Sequence, residues 1–137
     1  MDDAVAGYRA MSEANDIDGL METLAPDAEL VSPLSGVMVF RGKDDLRVLL
    51  SAIYGTLTSL RWHEQVGDGT VRVIIGRGKV GPLTLGDAMV FELADDGRIK
   101  RIRPHLRPWL ATTLLAVMLM PKVSRHPGVV WRAVRRG

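Results

Sequence analysis

The chain has 137 residues, 47% hydrophobic and 25% charged, a composition that fits one globular domain and excludes a disordered chain. It contains no cysteine, which excludes disulfide bonds, thiolate metal sites and thiol catalysis. Charge is unevenly placed: residues 1–97 hold all 16 acids and eight of the 18 Lys and Arg, a net charge of −8, whereas residues 98–137 carry +10.

Two short helices are predicted at the start of the chain. The first covers residues 3–14, and the second begins after Asn15-Asp16, which supplies an N-cap, and is expected to end at Pro26. Each has an apolar face with helical spacing, formed by Val5, Tyr8 and Met11 in the first and by Ile17, Leu20, Met21 and Leu24 in the second.

Two short strands, at residues 29–32 and 37–40, are predicted to flank a turn at 33–36. A third helix is predicted after Gly42. The helix dipole favours the acidic residues in its first turn, and its apolar stripe is unbroken. That stripe consists of Leu46, Leu49, Leu50, Ile53, Tyr54 and Leu57.

From residue 59 to 103 the apolar period changes to two, which predicts four long antiparallel strands separated by turns. Glycines at 76, 78 and 86 lie inside these runs, where glycine often marks a bulge or bend. Three helices followed by an antiparallel meander predict an α+β fold with helices packed on one face of a curved sheet.

Several short segments carry a family resemblance: Ser32-Pro33, Phe40-Arg41-Gly42-Lys43 before the long helix, and Phe-Glu-Leu-Ala-Asp-Asp-Gly-Arg-Ile at 91–99. With the two N-terminal helices, their order resembles the nuclear transport factor 2-like superfamily, especially its SnoaL-like branch, over about residues 3–107. The resemblance implies a cone-shaped, curved antiparallel sheet wrapped around the N-terminal helices, the cystatin-like fold. It also implies a homodimer with an internal pocket. Members include polyketide cyclases, ketosteroid isomerases, epoxide hydrolases and non-catalytic binders.

Asp87 is the first candidate for catalysis. It shares strand parity with Met89, Phe91 and Leu93, so its carboxyl group should be desolvated and its pKa raised toward the range of a general acid or base. The alternative is an acid paired with an arginine at the end of the sheet.

Arg103 and His105 are two residues apart on the last strand, so they share a face of the sheet, which we expect to be the face of Asp87. His105 would then exchange protons with Asp87. Arg103 could equally be a structural partner for an acid. Family members often carry Tyr, Trp and Asp around residues 105–107, and this chain departs from that pattern.

Five further residues are predicted to bind substrate. Tyr8 and Tyr54 lie on apolar helix stripes, where each could point a hydroxyl into a cavity or simply belong to the core. Trp62 and His63 have opposite parity, and we expect Trp62 to face inward with Leu60. The remaining two predicted contacts are Met89 and Phe91.

No metal site or cofactor is indicated. The histidines at 63, 105 and 126 lack ligand spacing, and no phosphate loop, dinucleotide motif or serine nucleophile elbow is present. Nucleic acid binding is not indicated either, because no reading module accompanies the basic C-terminal part.

Residues 109–137 are predicted to be a helical extension of a domain spanning residues 1–108. Residues 109–120 are apolar except for two threonines, and Pro121 is expected to end the run. This run is too short to span a bilayer, so it should cover the open end of the cavity or pack at a dimer interface. The alternative joins it to 129–136, with Trp131 and three arginines, as an element that lies on a membrane surface. A further alternative is that the basic charge neutralises the acidic body, within one chain or across a dimer.

The sequence therefore predicts a protein with a pocket for a hydrophobic small molecule. One interpretation is an isomerase, cyclase or hydrolase that works without a cofactor, by proton transfer between Asp87 and His105, with Arg103 or Tyr54 holding an oxyanion. The other is a non-catalytic binder or dimeric scaffold. The acidic N-terminus lacks the basic flank and apolar run of a signal peptide, which predicts a cytoplasmic protein.

Overall fold

A computed structural model describes residues 3–34 and 38–136. Within them the helices are α1 (Ala4–Ala14), α2 (Ile17–Glu22), α3 (Lys43–Thr56), α4 (Trp109–Val123) and α5 (Pro127–Arg136). The strands are β1 (Leu24–Val31), β2 (Val39–Arg41), β3 (Thr58–Val66), β4 (Val71–Val80), β5 (Leu83–Leu93) and β6 (Ile99–Arg107). The predicted α+β fold with a C-terminal helical extension is confirmed.

The strands form one curved sheet in the order β2-β1-β6-β5-β4-β3. Strands β3 to β6 are the predicted antiparallel meander, and β2 pairs antiparallel with β1. However, β1 runs parallel to β6, so the curved sheet is mixed, with one parallel pair beside the antiparallel pairs that the resemblance implies. The chain reaches β6 only after α3 and three further strands, and that long connection permits a parallel pairing.

Curvature is built into the β3–β4 pairing. The register shifts twice along this pair, once between Thr58 and Arg61 and again between Trp62 and Glu64. Gly76 lies opposite Trp62, and a Cβ at this position would collide with the backbone of Arg61 and the ring of Trp62. Bulges and a glycine at a close approach bend a sheet, as the glycine pattern predicts.

Two prolines were expected to end a helix or an apolar helical run, and neither does so. Helix α2 ends at Glu22, and Pro26 lies inside β1, within the stretch where the β1–β6 register is irregular and no ladder hydrogen bond is required of it. Pro121 lies inside α4, which continues to Val123. The predicted start of a strand at residue 37 lies outside the described residues.

The core lies between the concave face of the sheet and the helices. Its larger cluster joins α1, α2, α3 and the sheet around Tyr8, Leu50 and Phe91, and it also contains Val129 and Ala133 of α5. A smaller cluster joins α3, β4 and β5 to α4. The C-terminal helices therefore pack into the same core as the sheet. None of the helices in the described ranges is long and apolar enough to cross a membrane.

Candidate functional site

A cavity of about 410 Å³ lies between the concave face of the sheet and helices α3 and α4. Most of its lining is apolar. Strand β5 contributes Leu85, Asp87 and Met89, because alternate residues of a strand face the same side. Helix α3 contributes Tyr54 together with leucine and isoleucine side chains.

Asp87 is the one carboxyl group among the described lining residues. Its Oδ1 atom is buried and has no hydrogen-bond partner. Burial raises the pKa of Asp87 to about 7, and the backbone N–H of His105 only partly opposes this effect. Near neutral pH the carboxyl group therefore populates both its protonated and its charged form.

Tyr54 is hydrogen-bonded to Tyr8 behind it, with 2.6 Å between the two hydroxyl oxygens. Tyr8 is fully buried, and its hydroxyl has no other hydrogen-bond partner among the described residues. Either hydroxyl can be the donor in this bond, and Tyr54 also lines the cavity. When Tyr8 donates in this bond, the Tyr54 proton is left for an acceptor in the cavity.

The tyrosine pair stays protonated. Burial raises the pKa of both phenols above the usual value, and the nearby charge of Asp87 raises both further. The ring of Phe91 packs edge-on against Tyr8, with 5.0 Å between the ring centroids, and so fixes the tyrosine from behind.

The predicted binding residues divide into two layers. Trp62, Met89 and Tyr54 line the cavity, whereas Tyr8 and Phe91 do not and lie in the core behind it. The expectation that those two contact a ligand is therefore wrong. The Trp62 indole Nε1 donates to Ser12 Oγ at 2.8 Å, which anchors the ring in place. His63 faces outward, as predicted.

The expectation that Arg103 and His105 share the cavity face with Asp87 is wrong. Asp87 lies opposite Leu106, and His105 lies opposite Ala88. Directly opposed residues in an antiparallel pair share a face, so Leu106 points inward with Asp87 while His105 points outward. The side chain of His105 is exposed, and its Nδ1 lies 3.3 Å from the carbonyl oxygen of Ala88. No hydrogen bond joins the side chains of Asp87 and His105 in the described part of the chain, so the structure shows no direct proton relay between them.

A single bulge explains the reversal. The register of β5 and β6 shifts between Glu92 and Leu93, where Leu93 pairs with Ile99 but Glu92 pairs with Arg101. Without the shift, Asp87 would lie opposite His105. A slip of one residue moves every later side chain of β6 to the other face.

Arg103 belongs to an ion-pair network on the outer face of the sheet. Its Nε lies 3.7 Å from Glu92 Oε2, and Glu92 also accepts from Arg101 at 3.1 Å. Arg101 in turn binds Glu29, which Arg41 binds from the other side. The alternative role considered for Arg103, a structural partner for an acid, matches this position.

The family of the chain follows from a sequence comparison. The model of the SnoaL-like domain matches residues 5–102. The chain belongs to the SnoaL-like family. No protein of curated function matches it.

Solved structures share the fold at low identity. A bacterial protein with a cystatin-like fold from Silicibacter pomeroyi has a TM-score of 0.88 at 18% identity, over 97% of this chain and 95% of that one. A steroid delta-isomerase from Pseudomonas aeruginosa has a TM-score of 0.81 at 22% identity, over 91% and 92%. A candidate polyketide cyclase from Sinorhizobium meliloti has a TM-score of 0.63 at 24% identity, over 77% and 95%. At these identities the similarity shows the fold alone.

Part of the cavity wall of this SnoaL-like protein lies outside the family match. Helix α4 covers the cavity, as one of the two alternatives for this segment predicted, and contributes Leu115, Leu119, Met120 and Val123 to the lining. Sequence reasoning did not single out these four residues, although their spacing of three and four along an apolar run is that of a helix face. In the described residues, no group of three or more His, Asp or Glu is placed to hold a metal ion.

Proposed function

We propose that this SnoaL-like protein binds a hydrophobic small molecule with a carbonyl group and moves a proton on it without a cofactor, as an isomerase does. The supporting observation is the carboxyl group of Asp87, whose Oδ1 atom is buried without a hydrogen-bond partner, at an apolar cavity that Tyr54 also lines. The volume of the cavity is in the usual range of ligand sites, roughly 300–1,000 Å³.

The proposed reaction uses two side chains. The Asp87 carboxylate removes a proton from the carbon next to the carbonyl group, and the C–H electron pair moves into a C=C bond as the carbonyl oxygen becomes an enolate. Tyr54 donates a hydrogen bond to that oxygen. When the substrate also has a C=C bond next to the carbon that lost the proton, the intermediate is a dienolate, and Asp87 returns the proton to the far end of that C=C bond as the carbonyl group re-forms. Nothing is consumed.

The electrostatics favour this transfer. Before it, the negative charge is on Asp87; after it, Asp87 is neutral and the charge is on the substrate oxygen, so the net charge of the cavity does not change. A pKa of about 7 suits a group that must both accept and return a proton near neutral pH. The steroid delta-isomerase with the same fold supports a ring ketone as the substrate class.

The test is the exchange of α-protons of a fused-ring ketone, such as 2-decalone, in D₂O, followed by NMR. We expect Asp87→Asn to lower the exchange rate by about 10²–10⁴-fold, since it removes the base. The wild-type rate should rise with pH through about 7 and then level off, because only the carboxylate accepts a proton. His105→Gln, on the outer face, is the matched control and should exchange at the wild-type rate.

Binding is measured separately, by the ligand-induced change in tryptophan fluorescence, which Trp62→Phe should remove because Trp62 is the one tryptophan among the described lining residues of the cavity. Asp87→Asn should still bind the ketone. If the ketone changes this fluorescence but no pH gives exchange above the rate of Asp87→Asn, the protein is a binder and the proposed reaction is wrong. An equal loss of exchange in His105→Gln would also contradict it.

A further inference from the structure

The cavity opens beside the C-terminal helices. Four of its described lining residues are also exposed: Pro33, Leu34, Met120 and Ser124. The first two follow β1, and the other two lie at the end of α4. The opening therefore lies between the end of β1 and the junction of α4 with α5.

Large apolar side chains are exposed on the two helices that border this opening. Val117 and Met120 are one helical turn apart on α4 and are 58% and 65% exposed. Trp131 and Val134 are one turn apart on α5 and are 61% and 57% exposed. Trp131 directly follows Val130, which lines the cavity. Helix α4 is apolar on its exposed side as well as its buried side, and such a helix normally has a partner on the exposed side.

The charged residues of the C-terminal segment are all basic. Residues 109–137 contain five Lys and Arg and no acid. Two of these cations are used within the fold, because Arg132 pairs with Asp45 and Lys122 donates to Thr56. Arg125 directly follows Ser124 at the opening, and the Arg135 guanidinium lies 5.0 Å from the centre of the Trp131 ring. Arg125 and Arg135 are both exposed.

We propose that one exposed surface of the C-terminal helices, the docking face, lies on an anionic bilayer, with the cavity opening toward the lipid. The docking face consists of Val117, Met120, Arg125, Trp131, Val134 and Arg135. A bilayer interface offers both things that this surface requires: anionic headgroups for the arginines, and an apolar boundary for the tryptophan, valine and methionine side chains. A hydrophobic ligand would then pass between bilayer and cavity without crossing water.

Other occupants fit less well. In a symmetric dimer through this face the same basic segment would meet itself, which places like charges together. A soluble polyanion would neutralise the arginines but leave the apolar side chains in water. Neither objection applies to an anionic lipid surface.

The test is flotation of the full chain with vesicles of phosphatidylcholine alone and of phosphatidylcholine with phosphatidylglycerol. We expect binding only to the anionic vesicles, and its loss at high salt. Arg125→Glu with Arg135→Glu should weaken this binding by at least about 25-fold, about fivefold for each cation removed. The matched control, Arg77→Glu with Lys79→Glu on exposed positions of β4, changes the net charge equally and should bind far more tightly than the first pair.

Two further measurements complete the experiment: the depth of Trp131 in the bilayer and the self-association of the chain. Brominated lipid should quench the fluorescence of the wild type more than that of Trp131→Phe, because Trp131 enters the interface. The proposal is overturned if anionic vesicles do not bind the chain, or if the control pair weakens binding as much as the docking-face pair. It is also overturned if light scattering shows a dimer that the docking-face pair dissociates.

Discussion

The two faces of the curved sheet treat a carboxyl group in opposite ways. On the outer face, burial alone would raise the pKa of Glu29, but hydrogen bonds from Arg41 and Arg101 outweigh that effect and lower it. On the inner face, burial raises the pKa of Asp87 to about 7, and no cation opposes it. Both side chains are carboxyl groups whose pKa burial raises. They differ in whether arginines hydrogen-bond to them.

This difference in partners distinguishes a carboxyl group with a structural role from one at a candidate functional site. Glu29 directs its oxygens to two arginines and so joins β1, β2 and β6. Asp87 leaves Oδ1 without a hydrogen-bond partner from the described residues, at a cavity large enough for a ligand to supply one. Buried charges in proteins are normally paired, so an unpaired one indicates a site.

The largest expected effect on stability comes from Asp87. Because its folded pKa exceeds the usual 3.8, the folded state holds a proton that the unfolded state has released. The free energy of unfolding should therefore fall as pH rises from 4 to 8, by about 4 kcal/mol relative to Asp87→Asn. Urea unfolding of both proteins across this pH range measures the difference, and parallel curves would contradict the buried, unpaired state of Asp87.

The tyrosine pair should give the next largest effect. Tyr54→Phe leaves the buried hydroxyl of Tyr8 without an acceptor, which should lower the free energy of unfolding by about 1–3 kcal/mol. Tyr8→Phe should cost less, because the Tyr54 hydroxyl can still reach the cavity. In a double-mutant cycle, the double variant should be destabilised by less than the sum of the single variants. Additive effects would mean that the two hydroxyls do not act as a pair.

A smaller effect of opposite pH sign is expected from Glu29. Its lowered pKa means that the folded state favours the carboxylate, so its stabilisation is present above the unfolded pKa and is lost as pH falls through the folded value. Glu29→Gln should cost about 1 kcal/mol or less, because the paired arginines are half exposed. Urea unfolding at low and high salt measures it, and a loss that is independent of salt and pH would show that the charge is not responsible.

The smallest effect is expected from His105, which carries the clearest contrast with Asp87 on the neighbouring strand. His105→Ala should change the free energy of unfolding by about 0.5 kcal/mol or less, as is usual for an exposed side chain. Thermal and urea unfolding measure it. A loss of several kcal/mol would mean that the imidazole has a buried contact and that the outer face is not its location.

The inward position of Asp87 could be predicted because it depends only on alternation within one strand. The positions of Arg103 and His105 could not be predicted from their own parity, because they depend on the register between two strands. A signal was nonetheless present: Lys100 and Arg101 are consecutive charged residues between the buried Ile99 and Ile102. Such a break in alternation marks a bulge.

The order and type of most elements were also predictable, since the helices have strong apolar stripes and β3 to β6 have a regular period. Parallel pairing of β1 with β6 was not, because it joins strands far apart in the chain. The hydrogen bond between Tyr8 and Tyr54 was missed for the same reason: 46 residues separate the partners, and only the packed core brings them together.

The position of α4 bears on how this protein can be handled in the laboratory. The family match ends at residue 102, whereas Leu115 and Leu119 form part of the cavity wall and pack on Val80 and Leu85. A recombinant fragment trimmed to the family boundary would lose α4 and also the second half of β6, so the cavity would lose a helix and part of its sheet wall. Leucine and valine side chains that α4 covers in the whole chain would be exposed to solvent and would favour aggregation. Such a fragment would therefore not represent the behaviour of the whole chain.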